Sequence, residues 1–166
     1  MGAESFFVEV LPAGVEAVAE GGPAAIRGAS GLLRDDLLLR LGAQELSEDV
    51  YSCEGIVRVT FREEKSSEQR RTEVVSIVLE GCFACFPEAL DAMFLVASRV
   101  PGPARFLHPL GVNMGVGDKQ EFTAKMTSVY EGKRRRFEEA FGHKRFLTLP
   151  DSAFYREYKK RLGDKG

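Results

Sequence analysis

The sequence predicts one α+β domain spanning residues 1–166, with an antiparallel sheet of about four strands packed against helices and a helical C-terminal third. Three observations carry that expectation. Short apolar segments alternate near the start, two longer alternating segments flank a charged connection between residues 55 and 79, and helical periodicity takes over after residue 118. Strict βα alternation is missing, which argues against a doubly wound parallel sheet.

The elements follow in chain order. Phe6, Val8 and Val10 alternate against Phe7, Glu9 and Leu11, and the Pro12-Ala13-Gly14 turn leads to a second segment at Val15 to Ala19, giving an expected opening hairpin. Gly21, Gly22 and Pro23 break the pattern. Leu32, Leu33, Leu37, Leu38 and Leu41 then recur at helical spacing, with Gly42 at a C-cap position. Gly55 to Arg62 and Thr72 to Leu79 form a second hairpin, and their polar connection, Glu63 to Arg71, reads as a solvated loop. Pro87 suits the first turn of a helix running through Leu90, Met93, Phe94 and Ala97 towards Val100, with Phe94 expected against Val57, Val59 and Ile77. Pro101 and Pro103 stop it.

From Pro101 to Gly117 the prolines and glycines predict a long ordered loop or one short strand around Arg105 to Leu107. Asp118 and Glu121 have the spacing of a capping box and open a long helix through Phe122, Met126, Val129, Tyr130, Phe137 and Phe141, which Gly132 weakens and Gly142 ends. Arg145 to Leu149 is the one strand candidate of the last third. A final helix follows Pro150 and Asp151, with Phe154, Tyr158 and Leu162 on its apolar face.

Composition narrows the function classes. Apolar residues at 44% and charged residues at 29% are enough for a core and too apolar for a disordered chain. No apolar stretch approaches the roughly 20 residues a bilayer requires, and Met1 to Leu11 lacks a basic leader, so neither a membrane span nor a signal peptide is expected. Three cysteines without a secretory signal point to free thiols and a cytoplasmic protein. Residues 1–117 carry a net −7 and residues 118–166 a net +5, a dipolar layout that steers a charged partner through the basic end.

The candidate chemistry is sparse. Cys82-Phe83-Ala84-Cys85 lies between a predicted strand and a predicted helix, where a helix N-terminus activates a thiolate. Its apolar flanks, Phe83 and Phe86, favour two buried, unreactive thiols instead. Beyond this spacing the resemblance to thioredoxin-like redox proteins does not extend, since a parallel strand introduced by a cis-proline is not evident after the helix. Cys53, Cys82 and Cys85 with His108 or His143 lack the paired spacing of a zinc site, and no metal or cofactor is expected. Both histidines read as lone surface residues. The glycines of Gly111 to Lys119 lack the GK[ST] ending of a phosphate loop and read as turn formers.

The densest charge cluster is Lys133-Arg134-Arg135-Arg136, with Lys144, Arg145, Lys159, Lys160 and Arg161 further on. Glu138 and Glu139 stand at ion-pairing distance along the helix, and no aromatic platform is interleaved, so nucleic acid is not the expected partner. Two function classes follow. The first is a non-enzymatic protein-binding module, at its sharpest a small bacterial inhibitor of the immunity or antitoxin kind. It would meet an acidic surface of a cognate protein through Lys133, Arg134, Arg135, Arg136, Lys144 and Arg145. The second is an enzyme or small-ligand-binding domain, including a thiol redox protein using Cys82 and Cys85.

Overall fold

The computed structural model describes residues 5–18, 25–65 and 71–141. The elements run β1 (Ser5–Leu11), β2 (Val15–Val18), β3 (Ala25–Gly28), α1 (Arg34–Leu41), β4 (Gln44–Ser47), β5 (Val50–Cys53), β6 (Val57–Lys65) and β7 (Thr72–Cys82). A 3-10 turn at Phe83–Cys85 leads into α2 (Phe86–Ser98), followed by β8 (Arg105–His108), β9 (Val112–Gly115) and α3 (Lys119–Phe141). The class is α+β, but the sheet has seven antiparallel strands in the order β4-β5-β6-β7-β1-β8-β9, not about four, with β2 and β3 paired separately. No described helix is long and apolar enough to cross a membrane.

Alternation sets the two faces of the sheet. Val8 stands opposite Leu79, Val10 opposite Ile77 and Phe6 opposite Gly81, and Val59 completes the same face across β7. All are buried, in one core with Leu37 and Leu41 of α1, Leu90 and Met93 of α2, and Phe122 and Met126 of α3. A side chain at Gly81 would stand 2.9 Å from Ala89 Cβ and 3.1 Å from Met93 Cε, so the glycine sets how closely α2 approaches β7. The other face carries paired charges: Arg58 with Glu80 at 3.4 Å, and Arg62 with Glu9 at 2.9 Å.

Three expectations about strands are corrected. β1 does not form a hairpin with β2; it lies between β7 and β8, because its apolar face is long enough to occupy the middle of the sheet. The second hairpin is longer than expected, with Glu63 to Lys65 paired to Val74, Glu73 and Thr72 beyond a bulge at Arg62/Glu63. The short strand expected around Arg105 to Leu107 is present as β8, but it forms a hairpin with β9 through the turn at 109–111. The Gly102–Pro103 peptide before it is cis, so a strand does follow a cis-proline after α2, antiparallel to β1 rather than parallel. Phe94 is also displaced from its expected place: it is only partly buried, its ring 6.1 Å from those of Phe106 and Phe122, while its neighbour Met93 is fully buried.

Helix boundaries follow local signals. Gly42 ends α1 in a left-handed conformation, its N–H donating to the carbonyls of Leu38 and Leu39. Pro87 sits in the first turn of α2, and the Asp118 carboxylate accepts from the Glu121 N–H at 3.0 Å before α3. Gly132 lies within α3 without ending it. The expected strand at 145–149 and the final helix after Pro150 lie outside the described residues.

Candidate functional site

The basic stretch of α3 is built largely into the molecule itself. Lys133 Nζ donates to the Ser5 carbonyl at 3.4 Å and lies 5.6 Å from the centre of the Phe83 ring. Arg134 lies 5.5 Å above the Phe86 ring and pairs with Glu138 at 3.2 Å, and Arg135 pairs with Glu131 at 2.7 Å. The pair of Arg134 with Glu138 is one of those expected along the helix, whereas the acid that meets Arg135 is Glu131, N-terminal to it and not among the acids expected. Arg135 and Arg136 are exposed, whereas Lys133 and Arg134 are half-buried. Lys144 and Arg145 lie outside the described residues.

His108 is not a surface residue; it is 4% exposed. Its position in β8 puts it on the same face as Phe106, and that face is the core. The Leu110 N–H donates to Nδ1 at 3.1 Å, so Nε2 carries the proton and donates to the Tyr130 hydroxyl at 2.8 Å. The Tyr130 hydroxyl also accepts from the Phe7 N–H at 3.3 Å and donates to the Phe7 carbonyl at 3.4 Å. β8 pairs with β1 only from Glu9 to Leu11, so the hydroxyl supplies Phe7 with the partner that a neighbouring strand would otherwise provide. Burial lowers the His108 pKa, and it raises that of Tyr130 against an opposing backbone hydrogen bond from Phe7.

The three thiols are free and buried. Cys82 ends β7 and Cys85 closes the 3-10 turn before α2, so the expected position between strand and helix is correct, but the two are 1% and 4% exposed. Burial pushes the Cys53 thiol up to about 12, with Arg99 opposing the shift. Among the described residues, no three His, Cys, Asp or Glu side chains converge as a metal ion would require.

A cleft of about 430 Å³ opens along the outer side of α2. Glu88, Asp91, Leu95 and Ser98 recur at three and four residues and form one wall. The facing wall is the tight β5–β6 turn, where Glu54 and Gly55 both have positive φ and the Ile56 N–H donates to the Cys53 carbonyl. Lys119, the first residue of α3, closes one end and pairs with Asp91 at 3.1 Å. Arg99 fixes the turn, with Nη2 2.7 Å from Glu54 and Nη1 donating at 3.0 Å to the Leu41 carbonyl at the end of α1. Ile56 and Ala92 are buried beneath the cleft, and Leu95 is exposed.

No protein-family model matches the chain, and neither a curated protein nor a solved structure matches it. The cleft was missed in the sequence because its residues come from three separated segments. One signal was present: the stripe formed by residues 88, 91, 95 and 98 faces away from the buried positions Leu90, Met93 and Ala97.

Proposed function

We propose that the chain is a non-enzymatic protein-binding module. The observation that carries this reading is the fate of its reactive groups. His108 uses both ring nitrogens in scaffold hydrogen bonds, and Cys53, Cys82 and Cys85 are buried. Exposed charge is instead available for recognition, with Arg135 and Arg136 on the outer side of α3. In the sharper form of this proposal the chain inhibits a cognate protein, as immunity proteins and antitoxins do, and engages an acidic surface through Lys133, Arg134, Arg135 and Arg136 with Lys144 and Arg145. The pair formed by Arg135 and Glu131 is solvent-facing and contributes little by itself, so a partner carboxylate can displace Glu131 at small cost.

The test compares tagged wild type with an Arg135→Glu/Arg136→Glu variant, each recovered from its native cell. An acidic protein retained by the wild type and lost by the variant, with slower association and a flatter salt dependence, supports the reading. Equal retention by both chains, or none by either, refutes it.

A second reading, binding of a small ligand, is favoured by the cleft, whose volume lies in the range of ligand pockets, about 300–1,000 Å³. The burial of Cys82 and Cys85 counts against the thiol redox form of that alternative.

A further inference from the structure

His108 ends β8, and its ring links the exposed turn at 109–111 to the core. Pro109, Leu110 and Gly111 are exposed, whereas His108 is buried. The turn is closed by the Gly111 N–H, which donates to the His108 carbonyl at 3.2 Å, and by the Leu110 N–H, which donates to His108 Nδ1 at 3.1 Å. The second bond exists only while Nδ1 keeps its lone pair. A proton taken up there turns the acceptor into a donor, and the new N–H then points at the Leu110 N–H. The Nε2–H is the same in both ring states, so the bond to Tyr130 survives protonation and the bond to the turn does not.

The groups around the ring do not offset a positive charge. α3 faces it with Tyr130, β1 with Phe7, and β9 places the buried Val112 opposite. The nearby charges are directed elsewhere: Glu80 of β7 acts on the Tyr130 hydroxyl, Lys133 of α3 donates to the Ser5 carbonyl, and Arg105 of β8 donates to Asn113. Among the described residues, burial is the one cause that lowers the ring's proton affinity. A buried imidazolium whose Nδ1–H finds no acceptor is strongly unfavourable, and it is relieved by bringing water to the ring. Gly111, at φ 105°, has open space where a side chain would stand, so the turn can move without meeting a neighbour there.

We infer that the 109–111 turn is a proton-operated latch: one proton taken up at His108 Nδ1 opens the turn and wets the ring, while the centre of the sheet stays closed. The latch needs no partner, so it stands or falls separately from the binding-module reading.

The experiment follows the full-length, isotope-labelled chain by NMR from about pH 8 to about pH 4.5, a range that spans the ordinary histidine value. The Leu110 amide should shift and lose about tenfold of its protection against exchange, measured against the intrinsic rate at each pH, with the midpoint of the His108 ring nitrogens. The amides of Val59 and Leu79 should keep their protection through that transition. His108→Asn puts a carbonyl oxygen near the place of Nδ1, where it accepts from the Leu110 N–H and cannot titrate, so the Leu110 amide should stay flat. If that variant does not fold, the coincidence of midpoints in the wild type decides alone. The inference is overturned by a ring that titrates without the Leu110 amide, by differing midpoints, or by the same Leu110 transition in His108→Asn. It is also overturned if Val59 and Leu79 open together with the turn, or if the ring takes up no proton before the chain unfolds.

Discussion

The Nε2 of His108 lies 2.8 Å from the hydroxyl of Tyr130, joining β8 to α3 inside the core. That hydroxyl is also the partner of the Phe7 backbone in β1. Tyr130→Phe keeps the ring and removes the oxygen, leaving the Phe7 N–H, the Phe7 carbonyl and His108 Nε2 without this partner. The expected loss is about 1–3 kcal/mol, read as a lower urea midpoint at unchanged slope. An unshifted midpoint would mean that water replaces the hydroxyl freely.

Stability should depend on pH through the same histidine. Burial lowers the folded-state pKa of His108, so the unfolded chain binds a proton that the folded chain refuses. The contribution is complete above the unfolded value of about 6.5 and is lost as pH falls below it towards the folded value. Melting temperatures of the wild type and His108→Asn should therefore converge on the acid side of that value and run parallel on the alkaline side. Parallel curves throughout would show that folding leaves the proton affinity of His108 unchanged.

The thiols should be inert in the native protein and reactive when it unfolds. A thiol reagent added at neutral pH should modify none of the three cysteines rapidly until denaturant is present. Cys53 adds an alkaline counterpart: its folded value of about 12 exceeds its ordinary 9.0, so its contribution is present below 9.0 and is lost as pH rises towards 12. Rapid native labelling of Cys82 or Cys85 would instead revive a redox role.

Packing under α2 gives a paired test. Gly81→Ala should cost about 1–3 kcal/mol, because the new methyl meets Ala89 Cβ, which cannot rotate away. Adding Ala89→Gly should make the double variant less destabilised than the sum of the single changes, since one removes the obstacle the other meets. Strict additivity in denaturant titrations would show that the helix shifts instead.

The sequence announced those parts of the fold that depend on neighbours in the chain. Gly42, Pro87 and Asp118 each mark a helix end through a backbone preference or a local hydrogen bond, and β6 and β7 alternate over enough residues to reveal a buried face. β4, Gln44–Ser47, is mostly exposed and shows no alternation to detect, and β9 is four residues long. The partners of β1 were hidden because Phe6 meets Gly81 and Glu9 meets Leu107 across long stretches of chain. His108 was misjudged as a surface residue although Phe106, two positions before it, was a sign that its face is buried. The basic run on α3 was visible as charge, but its attachment to Phe83 and Phe86 required the third dimension.

The placement of β1 bears on how the chain is made. During synthesis Ser5–Leu11 emerges before either strand that flanks it, and its pairing with β7 cannot begin until Thr72–Cys82 has left the ribosome. Its other side stays open until β8 appears, and Phe7 waits longer still, for Tyr130. An apolar strand with both edges exposed is prone to pair with other chains, and distant closures slow folding. Nascent chains halted before residue 119 should therefore cling to chaperones or aggregate, while release after α3 is complete should yield soluble protein.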